Sequence, residues 1–292
     1  MMPGVQSEVA VVKLVLLKHA VDAFVSERTV GRQWHDLGYT ACPDFTTAVE
    51  EYDRFVRQLA GFGVEIVFLP RDDRVDLDSI YVRDASIMCA KGAILCNMGK
   101  AGRRSEPQAQ ECAFQRAGLP ILGRIVGDGT VEGGDVVWLD DRTVAVGRGY
   151  RTNDAGIEQL RHILDDCVDE LIVVPLPHWR GPDDVFHLMS ILSPIDRDLA
   201  LVYSPLLPVP FREQLLARGV ELVEVADQEF ETLGCNVLAV APRRCIMLSG
   251  NPATLARLER VGAEVHQFEG AEICLRGSGG PTCLTRPIVR AW

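Results

Sequence analysis

The strongest constraint on the fold of this 292-residue chain is a repeated order of secondary structure. A β-branched run at 63–70 predicts a strand, the segments at 78–90 and 93–99 predict a hairpin, and the segment at 105–118 predicts a helix. Four further units of similar plan begin at RIVG, ELIVVPLP, ELVEVAD and EVHQFEG. Repeats of about 20–50 residues are typical of solenoids, propellers and arrays.

One chemically distinctive residue stands at the equivalent position of each unit, in the predicted first strand of its hairpin. These residues are Asp84, Glu132, His187, Asn236 and Cys283, and they are separated by 48, 55, 49 and 47 positions. If the five units close around an axis, equivalent positions converge there, and closure also removes exposed sheet edges. The pattern predicts an α/β fold, a five-bladed pseudo-symmetric α/β propeller of ββαβ-like modules around a central site.

Composition and charge limit the domain organisation and the partners. No Gly/Ser-rich, Pro-rich or single-charge segment is long enough to be a linker, which predicts one domain over residues 1–292. The formal net charge of -11 repels nucleic acid and anionic membranes and permits a small cationic partner. The apolar run at 9–17 is too short to cross a bilayer and predicts a buried strand. A homo-oligomer is compatible with these features.

The nine cysteines and six histidines predict a reducing compartment without a metal site. An odd cysteine number, with no basic leader or small-residue cleavage site, favours free core thiols and a cytoplasmic location. No cysteine pair has Cys-x-x-Cys spacing and no histidine pair has the spacing of a zinc-binding helix. We therefore expect neither a metal nor a cofactor.

Six motifs in a fixed order carry a family resemblance. They are DSIYVRD, GKAGRRSEP, GTVEGGD, GYRTN, FHLMS and GGPTCLTRP. Together they resemble the guanidino-group-modifying superfamily of dimethylarginine dimethylaminohydrolases, arginine deiminases and amidinotransferases. The resemblance covers nearly the whole chain and implies the five-bladed propeller called the pentein, in agreement with the repeat.

The resemblance implies a catalytic group of Cys283, His187 and Glu132. A guanidinium carbon is a poor electrophile, so its hydrolysis needs a strong nucleophile and an acid for the departing amine. Cys283 would attack, His187 would act as acid and then as base, and Glu132 would orient the imidazole. Gly279 and Gly280 leave room for a ligand to approach the backbone closely. The alternatives are a structural core cysteine, a satisfied core histidine and a turn acid.

The implied reaction passes through a covalent S-amidino intermediate. Water attack on that intermediate releases a ureido product such as citrulline, after loss of ammonia or an alkylamine. One alternative is amidino transfer, in which an amine takes the place of water. Another is a binding propeller without chemistry, which predicts loss of the thiol, the histidine and the glutamate together; all three are present here.

The resemblance also implies residues that bind the two ends of an arginine-like substrate. Asp84 and Asp78 match acids that bind the guanidinium nitrogens, because two carboxylate oxygens pair with a planar cation. Arg151, and either Arg103 or Arg104, match arginines that bind the substrate carboxylate. Each acid could instead be a plain hairpin residue, and arginines on a loop are commonly solvated.

Two departures from the family pattern leave the substrate open. Arg83 precedes Asp84 where the dimethylarginine enzymes have an acid, and Met189 stands where arginine deiminases and amidinotransferases have an aspartate. Both departures remove groups that contact the substrate nitrogens. Free arginine, a methylated arginine, agmatine and other guanidino acids therefore remain candidates, and no role for Asn236 follows from the sequence.

Overall fold

The computed structural model describes residues 4–184 and 186–292, so residues 1–3 and 185 of the predicted domain lie outside the described part. The strands form five three-stranded sheets of the same construction. In each sheet the first two strands are antiparallel, and the third lies parallel to the second. A parallel pair needs a long crossover, and a helical connection supplies it every time.

Four sheets are built from contiguous chain, and the fifth joins the two ends. The four are β3 (Ser86–Cys89), β4 (Gly92–Leu95) and β5 (Ile121–Arg124); β6 (Val136–Trp138), β7 (Thr143–Arg148) and β8 (Glu170–Pro175); β9 (Leu192–Asp196), β10 (Leu199–Val202) and β11 (Glu221–Glu224); and β12 (Val237–Ala241), β13 (Arg244–Leu248) and β14 (Glu264–Phe268). The fifth contains β15 (Arg286–Ala291), β1 (Val11–Leu17) and β2 (Glu65–Phe68).

The helices fill the crossovers. Those of the four contiguous sheets are α4 (Glu106–Arg116), α5 (Asp154–Leu164), α6 (Val209–Ala217) and α7 (Pro252–Arg260). The crossover between β1 and β2 contains α1 (Ala20–Ala23), α2 (Glu27–Gln33) and α3 (Phe45–Gly61). The Asp44 side chain caps α3 by accepting a 2.7 Å hydrogen bond from the Thr47 N–H. The α3 face that contains Ala48, Phe55 and Leu59 is buried.

The hydrophobic core consists of five clusters, each between two neighbouring sheets. For example, Ile94 of β4 packs in one cluster with Val146 of β7, whereas Ala145 of β7 packs in the next with Val202 of β10. The series continues through the sheet of β12 and the sheet of β1, and returns to β4, where Leu95 packs with Leu16. Since every sheet contributes to two clusters, the five sheets form a closed ring. The predicted five-bladed α/β propeller is confirmed.

The predicted placement of the axial residues inside the first hairpin strands is wrong. Each residue instead precedes its strand; Glu132 and His187, for instance, lie directly before short 3₁₀ turns. These turns free backbone N–H groups for buried carboxylates, because the Gly134 N–H donates to Asp84 Oδ1 at 3.1 Å and the Leu188 N–H donates to an Asp135 oxygen at 3.0 Å. In a strand, ladder pairing would use such groups.

The predicted strand at 9–17 is confirmed as β1, which pairs antiparallel with β15. Within 4–184 and 186–292, no helix combines the length and the apolar character needed to cross a bilayer.

Candidate active site

Four of the five axial residues line two adjoining cavities, and Cys283, His187 and Ser278 line both. The fifth, Glu132, lines neither cavity and reaches the site through its hydrogen bond with His187. We call the first the charged chamber. Its other lining residues include Asp78, Asp84, Lys100, Arg103 and Arg151. We call the second the apolar chamber. It is named for its large apolar lining residues Trp179, Phe186, Met189, Phe230 and Leu233, and charged residues also line it: Arg83, Arg180, Asp184 and Glu231. The ring thus brings together side chains that are far apart in sequence.

A larger cavity of about 440 Å³ lies elsewhere, between Trp138, Leu199, Leu215 and Trp292. It contains none of the predicted site residues. We therefore locate the candidate active site by its chemistry rather than by cavity size.

Glu132 and His187 form a buried ion pair. The His187 Nε2–H donates to Glu132 Oε2 at 2.8 Å, and both side chains are buried. The other Glu132 oxygen accepts the Lys100 backbone N–H at 3.0 Å and lies 3.7 Å from Arg151 Nη1. His187 Nδ1 remains directed toward Asp84, with 4.0 Å between Nδ1 and Oδ1. The imidazole is thus fixed through one nitrogen while its other nitrogen faces the cavity residues.

The charges around His187 make it an imidazolium at neutral pH. Burial lowers the pKa of His187, but the negative charges of Asp84, Asp135 and Glu132 outweigh burial and raise the pKa to about 9. Burial raises the pKa of Glu132, but the hydrogen bond and charge of His187 reverse this and lower the pKa to about 2. A histidine that is protonated at neutral pH is suited to give a proton to a departing amine.

Cys283 lies in a turn before β15 and is oriented by Asn236. The Asn236 Nδ2–H donates to Cys283 Sγ at 3.2 Å. The amide oxygen of Asn236 accepts from the Thr282 N–H at 3.0 Å and from Thr282 Oγ1 at 2.6 Å, which fixes the direction of the amide. Asn236 therefore positions the Cys283 sulfur, a role that the sequence did not reveal. Its position equivalent to the other axial residues was the available signal.

Gly279 and Gly280 provide room for the chain itself. A Cβ on Gly279 would lie 2.4 Å from the Tyr81 ring, and a Cβ on Gly280 would lie 2.5 Å from the Asn236 amide. The prediction that these glycines let a ligand approach the backbone stays a prediction, and Gly279 lines the charged chamber. The space into which a Cβ would point is filled by the Tyr81 and Asn236 side chains, which contact the turn that contains Cys283.

The environment of Cys283 favours the neutral thiol. Burial raises the pKa of Cys283, the charge of Asp84 raises it further, and the hydrogen bonds from Asn236 and Thr282 offset this only partly. A positive charge that binds beside Asp84 would remove part of this penalty.

Both predicted guanidinium-binding acids contact basic residues of the chain. Asp84 Oδ2 accepts from Arg103 Nη1 at 2.6 Å, and Asp78 Oδ2 accepts from Lys100 Nζ at 2.5 Å. A carboxylate has about four lone-pair sites, so each acid keeps acceptor capacity for a bound cation. Lys100 was missed as a site residue, although it lies within the GKAGRRSEP motif.

The three predicted carboxylate-binding arginines have different surroundings. Arg103 is buried, and Glu106, Asp84 and the Tyr81 carbonyl use its donors, so its geometry does not support binding of a substrate carboxylate. Arg104 is exposed and lines neither chamber. Arg151 is buried, lines the charged chamber and donates to the Asp184 carbonyl at 3.4 Å.

Asp135 is a further residue of the EGGD segment that supports the site. One of its oxygens accepts the Leu188 N–H at 3.0 Å, and the other accepts from Thr152 Oγ1 at 2.6 Å. Burial, only partly offset by the nearby His187 charge, raises the pKa of Asp135 to about 6. Asp135 thus anchors the backbone next to His187.

Asp84, Glu132 and His187 also place three ligand-type atoms within 4.8 Å of one another. Neither cysteine spacing nor histidine spacing could have indicated this cluster. The hydrogen bond from His187 to Glu132 and the ion pair of Asp84 with Arg103 already satisfy these groups in part.

Three non-glycine residues that line the apolar chamber have a left-handed backbone: Trp179 (φ 44°), Leu233 (φ 62°) and Ser278 (φ 61°). Such conformations cost about 1–3 kcal/mol each and cluster at functional sites. Their grouping around Cys283 agrees with a site shaped by the surrounding fold.

The Glu132→Gln variant should lower the pKa of His187. A hydrogen bond to a charged group contributes about 1.5–3 kcal/mol, which corresponds to about 1–2 pKa units. NMR titration of ring-labelled histidine would measure this, with the exposed His162 as internal control. An unchanged pKa of His187 in the variant would contradict the pairing.

In the wild type the raised pKa of His187 makes the stability of the fold depend on pH. The contribution of the His187 charge to the free energy of unfolding is fully present below about pH 6.5, the usual pKa of histidine. It is lost as pH rises through about 9.

Comparison with known proteins gives the same family along most of the chain. A family model described as "N,N dimethylarginine dimethylhydrolase, eukaryotic" matches residues 44–290. A dimethylarginine dimethylaminohydrolase of Streptomyces coelicolor is 30% identical over 248 residues, which cover 83% of this chain and 86% of that protein. An arginine deiminase of Mycobacterium marinum is 32% identical over 192 residues, which cover 55% of this chain and 46% of that protein.

A solved structure shows the same arrangement of the chain. It is the dimethylarginine dimethylaminohydrolase of Pseudomonas aeruginosa, as a cysteine-to-serine variant complexed with citrulline. It superposes with a TM-score of 0.76 at 25% identity and covers 96% of this chain and 99% of that one. The chain belongs to the dimethylarginine dimethylaminohydrolase family, within the guanidino-group-modifying superfamily of pentein proteins.

Proposed function

We propose that this chain, as one catalytic domain, hydrolyses a guanidino compound of the arginine class at a C–N bond. Cys283 is the nucleophile, His187 the acid and base, and Glu132 the residue that orients and charges the imidazole. The observation that carries the proposal is the shared cavity lining of Cys283 and His187, with His187 bonded to Glu132 at 2.8 Å. The membership of the chain in a family of C–N hydrolases supports it.

Substrate binding activates the nucleophile. Asp84 raises the pKa of the Cys283 thiol, and a guanidinium bound to Asp84 neutralises that charge beside the sulfur. The thiol then releases its proton to solvent. The thiolate attacks the guanidinium carbon and forms the S–C bond.

His187 completes both half-reactions. Its imidazolium gives a proton to the departing nitrogen as the C–N bond breaks, which leaves a cationic S-amidino group on Cys283. The neutral imidazole then takes a proton from water as the water oxygen bonds to carbon. As the C–S bond breaks, the hydroxyl proton of the tetrahedral carbon passes to the Cys283 sulfur and regenerates the thiol. A neutral ureido product such as citrulline leaves, and the released amine takes up the proton first lost to solvent.

The charged chamber binds both ends of an arginine-like substrate. Asp84 and Asp78 take the guanidinium side. Arg151 takes the carboxylate. Lys100 lines the same chamber and keeps Asp78 in place through their 2.5 Å ion pair. Arg103 keeps Asp84 in place through the 2.6 Å ion pair.

The apolar chamber favours a substituted guanidinium over a plain one. Met189 and Phe186 line it next to His187 and Cys283, so an N-alkyl group of the substrate can occupy apolar space on the leaving-group side. Arg83, at the sequence position of the missing acid, lines this chamber and is paired with Glu8 at 2.8 Å. An N-substituted arginine is therefore the preferred substrate class.

A product screen tests the proposal. Purified chain is incubated with arginine, methylated arginines, agmatine and other guanidino acids, each with and without an amine acceptor, and with EDTA throughout. Hydrolysis predicts ureido product that neither the acceptor nor EDTA changes. Transfer of the amidino group to the acceptor would favour the amidinotransferase instead, and no covalent chemistry with any compound would favour a binding propeller.

The Arg151→Ala variant should separate the two ends of the substrate. An unpaired buried donor costs about 1–3 kcal/mol, so arginine-like acids should exceed agmatine by about tenfold or more in kcat/KM for the wild type. The variant should lose that advantage while agmatine turnover stays unchanged. Steady-state kinetics on both substrates measure it, with the exposed Arg104→Ala as the matched control. Equal losses on both substrates would make Arg151 structural, and wild-type preference for agmatine would exclude the amino-acid substrate.

We also propose that the protein acts in the cytoplasm on a small substrate without nucleic acid or membrane. All nine cysteines are unpaired, and seven of them are buried or half-buried core thiols other than Cys283, which suits a reducing compartment. A homo-oligomer remains a prediction.

A further inference from the structure

Three buried arginines gather next to the active site. Arg83, Arg286 and Arg290 have exposed fractions of 2%, 5% and 3%. They line one small cavity together with Glu8. Arg286 Nη2 donates to the Arg83 carbonyl, and the Arg83 N–H donates to the Cys283 carbonyl at 3.2 Å. The cluster therefore touches the backbone segments that carry Asp84 and Cys283.

The cluster has more positive than negative charge. Glu8 Oε2 accepts from Arg83 Nη2 at 2.8 Å, and in the described chain neither Arg286 nor Arg290 forms an ion pair. Arg290 Nη1 instead donates to the carbonyls of Ala10 at 2.6 Å and Ala239 at 2.9 Å. Carbonyl dipoles satisfy donors without neutralising charge, so among the residues that line the cavity three guanidinium groups face one carboxylate, and Asp84 acts on Arg286 from outside the cavity.

Each arginine also has one buried nitrogen with no acceptor within reach among the described residues. These atoms are Arg83 Nε, Arg286 Nε and Arg290 Nη2. Burial, together with the like charge of Arg83, lowers the pKa of Arg286 to about 9; burial lowers that of Arg290 to about 10, despite the charge of Glu8. Because arginine stays protonated in proteins, the lowered pKa values of Arg286 and Arg290 indicate that too little negative charge lies near them. A neutral acceptor would satisfy the nitrogens but not the charge.

We propose that Arg83, Arg286 and Arg290 bind one small inorganic monoanion of the halide class. The cavity measures about 20 Å³, against roughly 10–15 Å³ for one water-sized occupant, so it accommodates a single small ion. A halide accepts several charge-assisted hydrogen bonds at once and neutralises one of the two excess charges. Of the residues that line this cavity, Arg83 also lines the apolar chamber and the others line neither substrate chamber, so the anion can be tested without turnover.

The full chain is tested for halide binding by thermal unfolding in sodium chloride against sodium gluconate at matched ionic strength. Above the Kd, each tenfold rise in chloride should raise Tm by about 2 °C, because the anion binds only the folded state. Bromide-soaked crystals should show an anomalous peak among the three arginines. Equal Tm in both salts and no bromide peak there would overturn the proposal and assign the cavity to water.

Variants make the test specific. Arg290→Met removes one excess charge and one orphaned nitrogen, so it should reduce the halide response, whereas the exposed Arg260→Met should retain it. If Arg290→Met does not fold, the Ser7→Asp variant tests the halide response of the same cavity. Ser7 Oγ accepts the N–H groups of Val9 and Ala10 at 3.0 and 2.9 Å, which an aspartate can also accept. The added carboxylate should raise Tm in gluconate and remove the halide response, and a full response in Ser7→Asp would contradict the proposal.

Discussion

The Cys283→Ser variant should fold like the wild type and lose turnover by about 10³–10⁶-fold, the range seen when a covalent nucleophile is removed. Serine keeps the size of the side chain and can still accept the Asn236 amide hydrogen bond. Its hydroxyl, however, forms an anion far less readily than the thiol does near neutral pH. Steady-state turnover and far-UV circular dichroism, measured together, separate chemical loss from unfolding.

The matched control is Cys42→Ser, which changes an exposed cysteine and should leave turnover intact. Mass spectrometry of the wild type, quenched during turnover, should find an amidino adduct on Cys283 alone. Near-wild-type activity of a folded Cys283→Ser protein would end the assignment of the nucleophile.

Replacement of His187 by glutamine should reduce turnover by about 10²–10⁴-fold, the usual contribution of a positioned acid and base. The effect should depend on the leaving group. An amine needs a proton to leave, whereas a thiolate from an S-alkylisothiourea analogue of arginine does not. With that analogue the His187→Gln variant should therefore form the S-amidino adduct at a nearly normal rate, and then accumulate it because water attack lacks its base.

Single-turnover kinetics with mass detection of the adduct test both halves of this expectation. His162→Gln, on the exposed face of α5, is the control and should behave as wild type. Equal losses for amine and thiolate leaving groups would exclude His187 as the acid, and failure to accumulate adduct would exclude it as the base.

The repeat in the sequence predicted the ring because each unit has its own local pattern. Alternating β-branched residues and turn residues specify a hairpin within a dozen positions, and such short-range signals are readable from one chain. The crossover before β2 was not predicted. Its signal was present in the apolar spacing of Ala48, Phe55 and Leu59 along α3, which is typical of an amphipathic helix.

The sequence by itself determined which five positions face the axis, and so which residue types meet there, because equivalent places in equivalent units converge in any closed ring. Only the tertiary structure decided which partner each side chain takes. Arg103 pairs with Asp84, Lys100 with Asp78, and Asn236 with Cys283. Hydrogen bonds and ion pairs depend on distances of a few ångströms between atoms. Separations of 19 to 47 residues along the chain do not encode those distances until the blades close.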